Sequence, residues 1–315
     1  MQQFVNKYFS LILVISCGLG FLTPDAGSLT PVLIPILLAT VIFSSFFQIS
    51  FSRNSFDKAS LLASLYFYLT RYLLLPTAVY FAIRPFSEFY AAAFFLMVLL
   101  PSAVSSPTFS LIFNGNITMS VFLVVFTNIL TPLCIPLMCH YVLAGTQEFD
   151  GVRMFQSLFY TVFLPLVLHL PFRKSRSFSR LVVKHNSLIT VVSLAFIFIL
   201  AVARYKTDLI SHISLIPQYI GISFLVFFFL YFVGWFMGGR TTIANKITFS
   251  ISSGANNIGL GVTLTILYFS AEVNVYFITA QFTWTLILVI LRPFLRSMIG
   301  FFSPKTPRAV VGSKP

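Results

Sequence analysis

The sequence predicts an all-α polytopic membrane protein: ten transmembrane helices in two inverted five-helix repeats, with crossing, discontinuous helices 4 and 9. Three observations predict it. Hydrophobic residues fill 58% of the 315 positions and charged residues only 9%, far from the balance of a soluble domain. Apolar runs of about 20 residues, the length a helix needs to cross a bilayer, recur from end to end between short polar loops. Polar interruptions fall in the fourth run of each half of the chain.

The runs lie at roughly 7–23, 29–51, 59–83, 88–114, 117–145, 153–172, 185–206, 211–239, 242–269 and 274–302. The first, KYFSLILVISCGLGFL, has one basic flank as a signal peptide does. It lacks a small-residue cleavage site, and Pro24, Asp25 and Gly27 read as a loop to the second run. The third, ASLLASLYFYLTRYLLLPTAVYFAI, carries Arg71 at its centre. The fourth contains LLPSAVSSPTFS, where Pro101 and Pro107 bracket Ser102, Ser105 and Ser106. The ninth contains SISSGANNIGLG, where Ser252, Ser253, Gly254, Asn256 and Asn257 interrupt the apolar residues. After the tenth, SPKTPRAVVGSKP is polar and reads as a disordered cytoplasmic tail over 304–315.

A formal charge of +13 would suggest nucleic acid in a soluble protein, but its distribution explains it here. With the N-terminus inside, the cytoplasmic side receives Lys7, Arg53, Lys58, Arg173, Lys174, Arg176, Arg180, Lys184, Arg240, Lys246, Arg292, Arg296, Lys305, Arg308 and Lys314. The outer side receives Arg84, Arg153, Arg204 and Lys206. That asymmetry places both termini in the cytoplasm, requires an even number of spans, and assigns the basic charge to topology and anionic lipid rather than nucleic acid. The basic loops suit a bacterial inner membrane.

Irregular backbone at membrane depth is tolerated only where it is buried in protein or lines a wet cavity. Cutting the chain near residue 150 leaves five runs in 1–150 and five in 151–303, with the break in the fourth of each. Five is odd, so the second half enters the membrane inverted. Interrupted segments at corresponding places in two halves point to a transporter's midplane site. Freed amides at the start of a half-helix favour anions, and freed carbonyls at the end of the other half favour cations. Ser105, Ser106, Thr108, Asn256 and Asn257 are the residues expected to line such a site.

An arginine at mid-span costs at least about 2.5 kcal/mol on insertion scales, and Arg71 is too far from either helix end to snorkel. None of the seven acidic residues lies inside a run, since Asp25, Asp57, Glu88, Glu148, Asp150, Asp208 and Glu272 occupy loops or edges. The acceptors expected for Arg71 are therefore carbonyls freed at a helix break, or an anionic substrate. The same absence argues against a carboxylate proton relay.

Other chemistry finds little support. Cys17, Cys134 and Cys139 lie in apolar runs without a CxxC pair, as small packing residues rather than a disulfide or zinc framework. His140, His169, His185 and His212 fall near run ends and read as interfacial. The GxG at Gly259 and Gly261 has no strand before it and is no nucleotide fingerprint. No motif supports an enzyme.

At the two breaks the chain resembles the bile acid:sodium symporter family, over nearly its whole length. LPSAVSSPTFSLIFNGNITMSVFLVVFTNILTPLCIPL looks like the family's fourth and fifth helices, and ISSGANNIGLGVTL like its ninth-helix motif. The resemblance implies a core domain of spans 3–5 and 8–10 and a panel domain of spans 1, 2, 6 and 7. It also implies sodium-coupled transport of an organic anion such as a bile acid, other carboxylate or sulfonate, by alternating access, with sodium the one ion and no other cofactor. By position, its sodium ligands fall on Ser106, Ser120, Ser252, Ser253, Ala255 and Asn256, and Asn257 keeps the family's asparagine, while Ser105, Thr108, Asn256 and Asn257 are the residues expected to contact substrate. Pro107 replaces a family asparagine, Val124 a threonine, Ser252 a glutamate and Arg71 a glutamine. Arg71 thus reads as a fixed charge in place of sodium, and a sodium-independent carrier becomes the alternative. A sensor or channel-like homologue would need a signalling domain or long loop, and no loop exceeds about 15 residues. An arsenite carrier would need a cysteine where Leu100 stands.

Overall fold

The computed structural model describes residues 8–48, 58–143, 150–239 and 241–302. The loop around Arg53 and Asp57, Glu148, Arg240 and the tail at 304–315 lie outside the described residues, and so do the expectations for them. All described elements are helical.

The helices are α1 (Phe9–Leu22), α2 (Thr30–Phe46), α3 (Lys58–Tyr68), α4 (Leu75–Ile83), α5 (Glu88–Leu99), α6 (Ser106–Ile112) and α7 (Ile117–Val142). They continue as α8 (Gly151–Leu158), α9 (Leu164–Arg173), α10 (Arg176–Ser211), α11 (Ile216–Met237), α12 (Ile243–Gly254), α13 (Ile258–Tyr268) and α14 (Ala271–Phe302). Helix starts are set by capping side chains: Ser87, Asn116, Asp150, Ser175 and Thr242 each accept a backbone N–H from the first turn they precede.

Among the described residues, five helical stretches are long and apolar enough to cross a membrane, at 27–46, 117–142, 151–173, 176–211 and 213–237. Shorter apolar helices occupy 11–22, 88–99 and 258–268. Large apolar side chains face outward on many of these helices, as at Leu22 (82% exposed) and Leu225 (71%), while serines, threonines and asparagines are buried between them. Lipid explains that arrangement, because a bilayer solvates leucine and leaves polar groups to find partners inside.

Two helices widen just before a proline. Leu69–Leu74 and Phe159–Phe163 are π-helical, and Pro76 and Pro165 follow. A proline clashes with the carbonyl four residues back, and one extra residue in the turn relieves that clash. In the first case the widened turn holds Arg71, buried.

Hydropathy underestimates the seventh span. Helix α10 starts at Arg176 rather than 185 and runs 36 residues to Ser211, with non-helical angles at Tyr205. It is about 54 Å long against a hydrocarbon core of about 30 Å, so its first turns extend past the apolar stretch that hydropathy detects. Around it, α10 packs on α1 and α2, and α9 on α2. Elsewhere α4 packs on α5, α11 on α12 and α14, α13 on α14, and α7 on α6 and α12.

His169 corrects the expectation of an interfacial ring. It is 2% exposed, bonds the Leu166 carbonyl through Nδ1, and sits against Phe46 and Phe47. Cys17, Cys134 and Cys139 are free thiols.

Candidate functional site

The two broken spans meet at their breaks. Helix α5 stops at Leu99 because Leu100 precedes a proline and is driven to extended angles (φ −62°, ψ 138°). Helix α12 continues through Ser252 and Ser253 to Gly254, so the interruption is narrower than the polar stretch suggests and is confined to 255–257. The extended segments pair antiparallel, Ser102 opposite Asn256. The Ala103 N–H donates to the Ala255 carbonyl at 2.7 Å, and the Asn257 N–H donates to the Pro101 carbonyl at 2.9 Å. This reciprocal pair satisfies backbone groups that would otherwise cost several kcal/mol each in a nonaqueous interior.

Arg71 closes the crossing from the third side and is fully buried. Its Nε donates to Ser253 Oγ at 2.9 Å and to the Ser253 carbonyl at 3.2 Å. Its Nη2 donates to that carbonyl at 2.8 Å and to Asn256 Oδ1 at 3.0 Å, while Nη1 donates to the Val98 carbonyl. Val98 and Ser253 lie in the last turns of α5 and α12, where carbonyls have no intrahelical donor. Each helix end carries about half a negative charge, so two converging ends nearly balance one guanidinium without a carboxylate. The guanidinium also lies 4.9 Å from the centre of the Tyr72 ring.

A second layer braces the first. Ser102 Oγ donates to the Ser252 carbonyl at 2.6 Å and lies 3.1 Å from the Tyr72 hydroxyl. Asn128 Nδ2 donates to the carbonyls of Ser102 (3.1 Å) and Val124 (2.8 Å), and Asn256 Nδ2 donates to the Met97 carbonyl at 2.6 Å. Sequence reasoning does not single out Ser102, Tyr72 or Asn128 as site residues. The available signal is a lone amide at Asn128 in an apolar run and a serine directly after Pro101.

Arg71, Ser252, Ser253, Ala255 and Asn256 thus come together at the crossing. The Ala255 carbonyl serves Ala103, and the oxygens of Ser253 and Asn256 serve Arg71. Ser106 on α6, Ser120 on α7 and Ser252 on α12 are buried, and their hydroxyls have no hydrogen-bond partner among the described residues. Asn257 accepts the Leu260 N–H at 3.2 Å as the cap of α13. Ser105 is half-buried and Thr108 is exposed on α6, outside this bonded network.

The glycines of the ninth span serve contact. A Cβ on Gly254 would lie 2.4 Å from the Tyr231 ring, and one on Gly261 would lie 2.6 Å from Phe277. Close approach of helices through small residues is the ordinary packing device in membranes. Among the described residues, no group of three or more His, Cys, Asp or Glu side chains is placed to hold a metal ion.

Residues 7–295 match the model of the SBF-like CPA transporter family. A protein of Bacillus subtilis (strain 168), described as uncharacterized protein YbaS, is 24% identical over 187 residues. The match covers 57% of this chain and 60% of that relative's length.

Proposed function

The chain belongs to the SBF-like CPA transporter family, and on that premise we propose a carrier of small organic anions in which Arg71 takes the place of a coupling sodium ion. That it is a membrane transporter follows from the family and from its apolar helices. The observation that carries the finer reading is the set of hydrogen bonds from Arg71 to Val98, Ser253 and Asn256.

Carbonyl oxygens at two helix ends are what a bare cation seeks at mid-membrane. Here guanidinium N–H groups take them, and a sodium ion about 4 Å away would be repelled by roughly 4 kcal/mol at an effective dielectric of 20. A covalently held charge cannot be released on the other side of the membrane, so no ion gradient is coupled through that position. What it does is hold the breaks together with a charge that stays in the chain, and a carboxylate or sulfonate would be drawn instead by the freed amides at the start of α13.

Alternating access needs two bodies. The packing of α10 on α1 and α2, and of α9 on α2, supports a panel unit, and the contacts among α4 to α7 and α11 to α14 support a core. The reciprocal Ala103–Ala255 and Asn257–Pro101 bonds support an inverted repeat, because they relate the two breaks by a local two-fold.

A second reading rests on Ser106, Ser120 and Ser252, whose hydroxyls, without a partner among the described residues, would suit one residual sodium site. The melting temperature of the detergent-purified protein, titrated with NaCl against choline chloride at constant ionic strength, separates the two, because an ion that binds the native state stabilises it. A flat curve is expected. A sodium-specific rise that Ser120→Ala and Ser252→Ala abolish would overturn the sodium-independent reading in favour of the second.

A further inference from the structure

The sequence RKSRSFSR at 173–180 forms the junction between α9 and α10, and the transport reading makes no use of it. Four basic residues fall in its first four and last positions, Arg173, Lys174, Arg176 and Arg180. The turn is held rigidly: Ser179 Oγ donates to the Arg173 carbonyl at 3.0 Å, the Ser175 N–H to the Phe172 carbonyl at 3.2 Å, and Ser175 Oγ accepts the Phe178 N–H at 3.4 Å. Arg180 Nε donates to the Arg176 carbonyl at 3.4 Å, and the four-residue spacing puts the two positions on one face of α10.

Between this turn and the end of α2 lies a pocket of about 560 Å³ lined by Phe47, Arg173, Arg176, Ser179 and Arg180. The elements that build it carry no carboxylate, since neither 26–56 nor 151–207 contains Asp or Glu. Beneath the arginines is an aromatic cluster. Phe172 and Phe178 have ring centres 5.3 Å apart, Phe47 and Phe178 5.7 Å, and Phe43 and Phe172 5.8 Å. Below it the same helices turn apolar side chains outward, including Leu170 (53% exposed) and Leu181 (56%).

We propose that this pocket binds the phosphate headgroup of an anionic phospholipid. Arginine forks match phosphate oxygens bidentately, and the N-terminus of α10 adds its positive end to the same spot. A free phosphate ion would use the arginines alone. A lipid uses the whole arrangement, with its phosphate on Arg173, Arg176 and Arg180, its glycerol region against the phenylalanine rings, and its chains along the apolar faces of α9 and α10. Basic pockets between helices at the membrane surface are built for this class of ligand. The site stands independently of the reading of Arg71.

The test uses the full chain in a neutral detergent, with melting temperature followed during titration of dioctanoyl phosphatidylglycerol, dioctanoyl phosphatidylcholine or inorganic phosphate. The phosphatidylglycerol is expected to raise the melting temperature by several degrees, and the other two to leave it unchanged. Arg176→Gln combined with Arg180→Gln is expected to weaken the apparent lipid affinity by about 30-fold, from roughly fivefold for each charge. Equal stabilisation by phosphate would make the ligand a soluble anion, and equal stabilisation by phosphatidylcholine a general lipid effect; either overturns the proposal, as does an unchanged affinity in the double variant. Should that variant fail to fold, a photoactivatable phosphatidylglycerol decides on the wild-type protein. Adducts on residues 172–184 support the site, and adducts found only elsewhere refute it.

Discussion

The Nη2 of Arg71 lies 2.8 Å from the carbonyl oxygen of Ser253, across 182 positions of sequence and in the last turn of α12. One contact joins the π-helical turn Leu69–Leu74 to α12, and through Val98 the same side chain reaches α5. On the proposed reading, a cation held by neutral oxygens at two helix ends stands where a mobile ion would otherwise bind.

Arg71→Gln removes the charge and restores an amide. The variant is expected to gain a sodium-specific rise in melting temperature that wild type lacks, read by the NaCl and choline chloride titration. An unchanged response would count against substitution of the ion by the arginine. Arg71→Leu, which supplies no donor, is expected to lose more stability than Gln, because each unpaired buried carbonyl costs about 1–3 kcal/mol.

Ser102 and Tyr72 form one branch of the second layer. Ser102→Ala leaves the Ser252 carbonyl without its 2.6 Å donor and is expected to cost about 1–3 kcal/mol. Combined with Tyr72→Phe, the loss should be less than the sum of the two single losses, since both remove the same bond. Strict additivity in denaturation midpoints would show that the hydroxyls do not act together.

Asn257 combines a cap with a position at the break. Asn257→Ala is expected to cost about 1 kcal/mol as a lost helix cap while expression stays near normal. Uptake by proteoliposomes, assayed with a panel of labelled carboxylates and sulfonates, should be abolished. Wild-type uptake would sink the assignment of Asn257 to the substrate site.

Gly254 packs under the Tyr231 ring. Gly254→Ala forces that ring or helix α12 to move and is expected to destabilise by about 1–3 kcal/mol. Tyr231→Ala in the same chain should recover part of the loss, because it vacates the volume the new methyl needs. A double variant no better than the sum of its parts would place the strain elsewhere.

Much of the molecule is legible in the sequence. Hydropathy locates the apolar helices, and prolines and tandem asparagines locate both breaks, because the cost of placing a residue in lipid is local and sums along the chain. Arg71 announces a buried acceptor set, since an unpaired guanidinium could not stay at mid-span. Helix ends are less legible: α10 begins nine residues before its apolar stretch, since backbone hydrogen bonds do not stop at the membrane boundary.

Only the tertiary structure decided which groups meet. Ser252 and Ser253 look like part of a break and are helical; Ser102 looks like one more polar residue of the other break and bonds the Ser252 carbonyl. The reason is physical. A residue's preference for water or lipid is a property of that residue and its neighbours in sequence. Which carbonyl a buried donor finds depends on how two extended segments, about 150 residues apart, come to lie against each other.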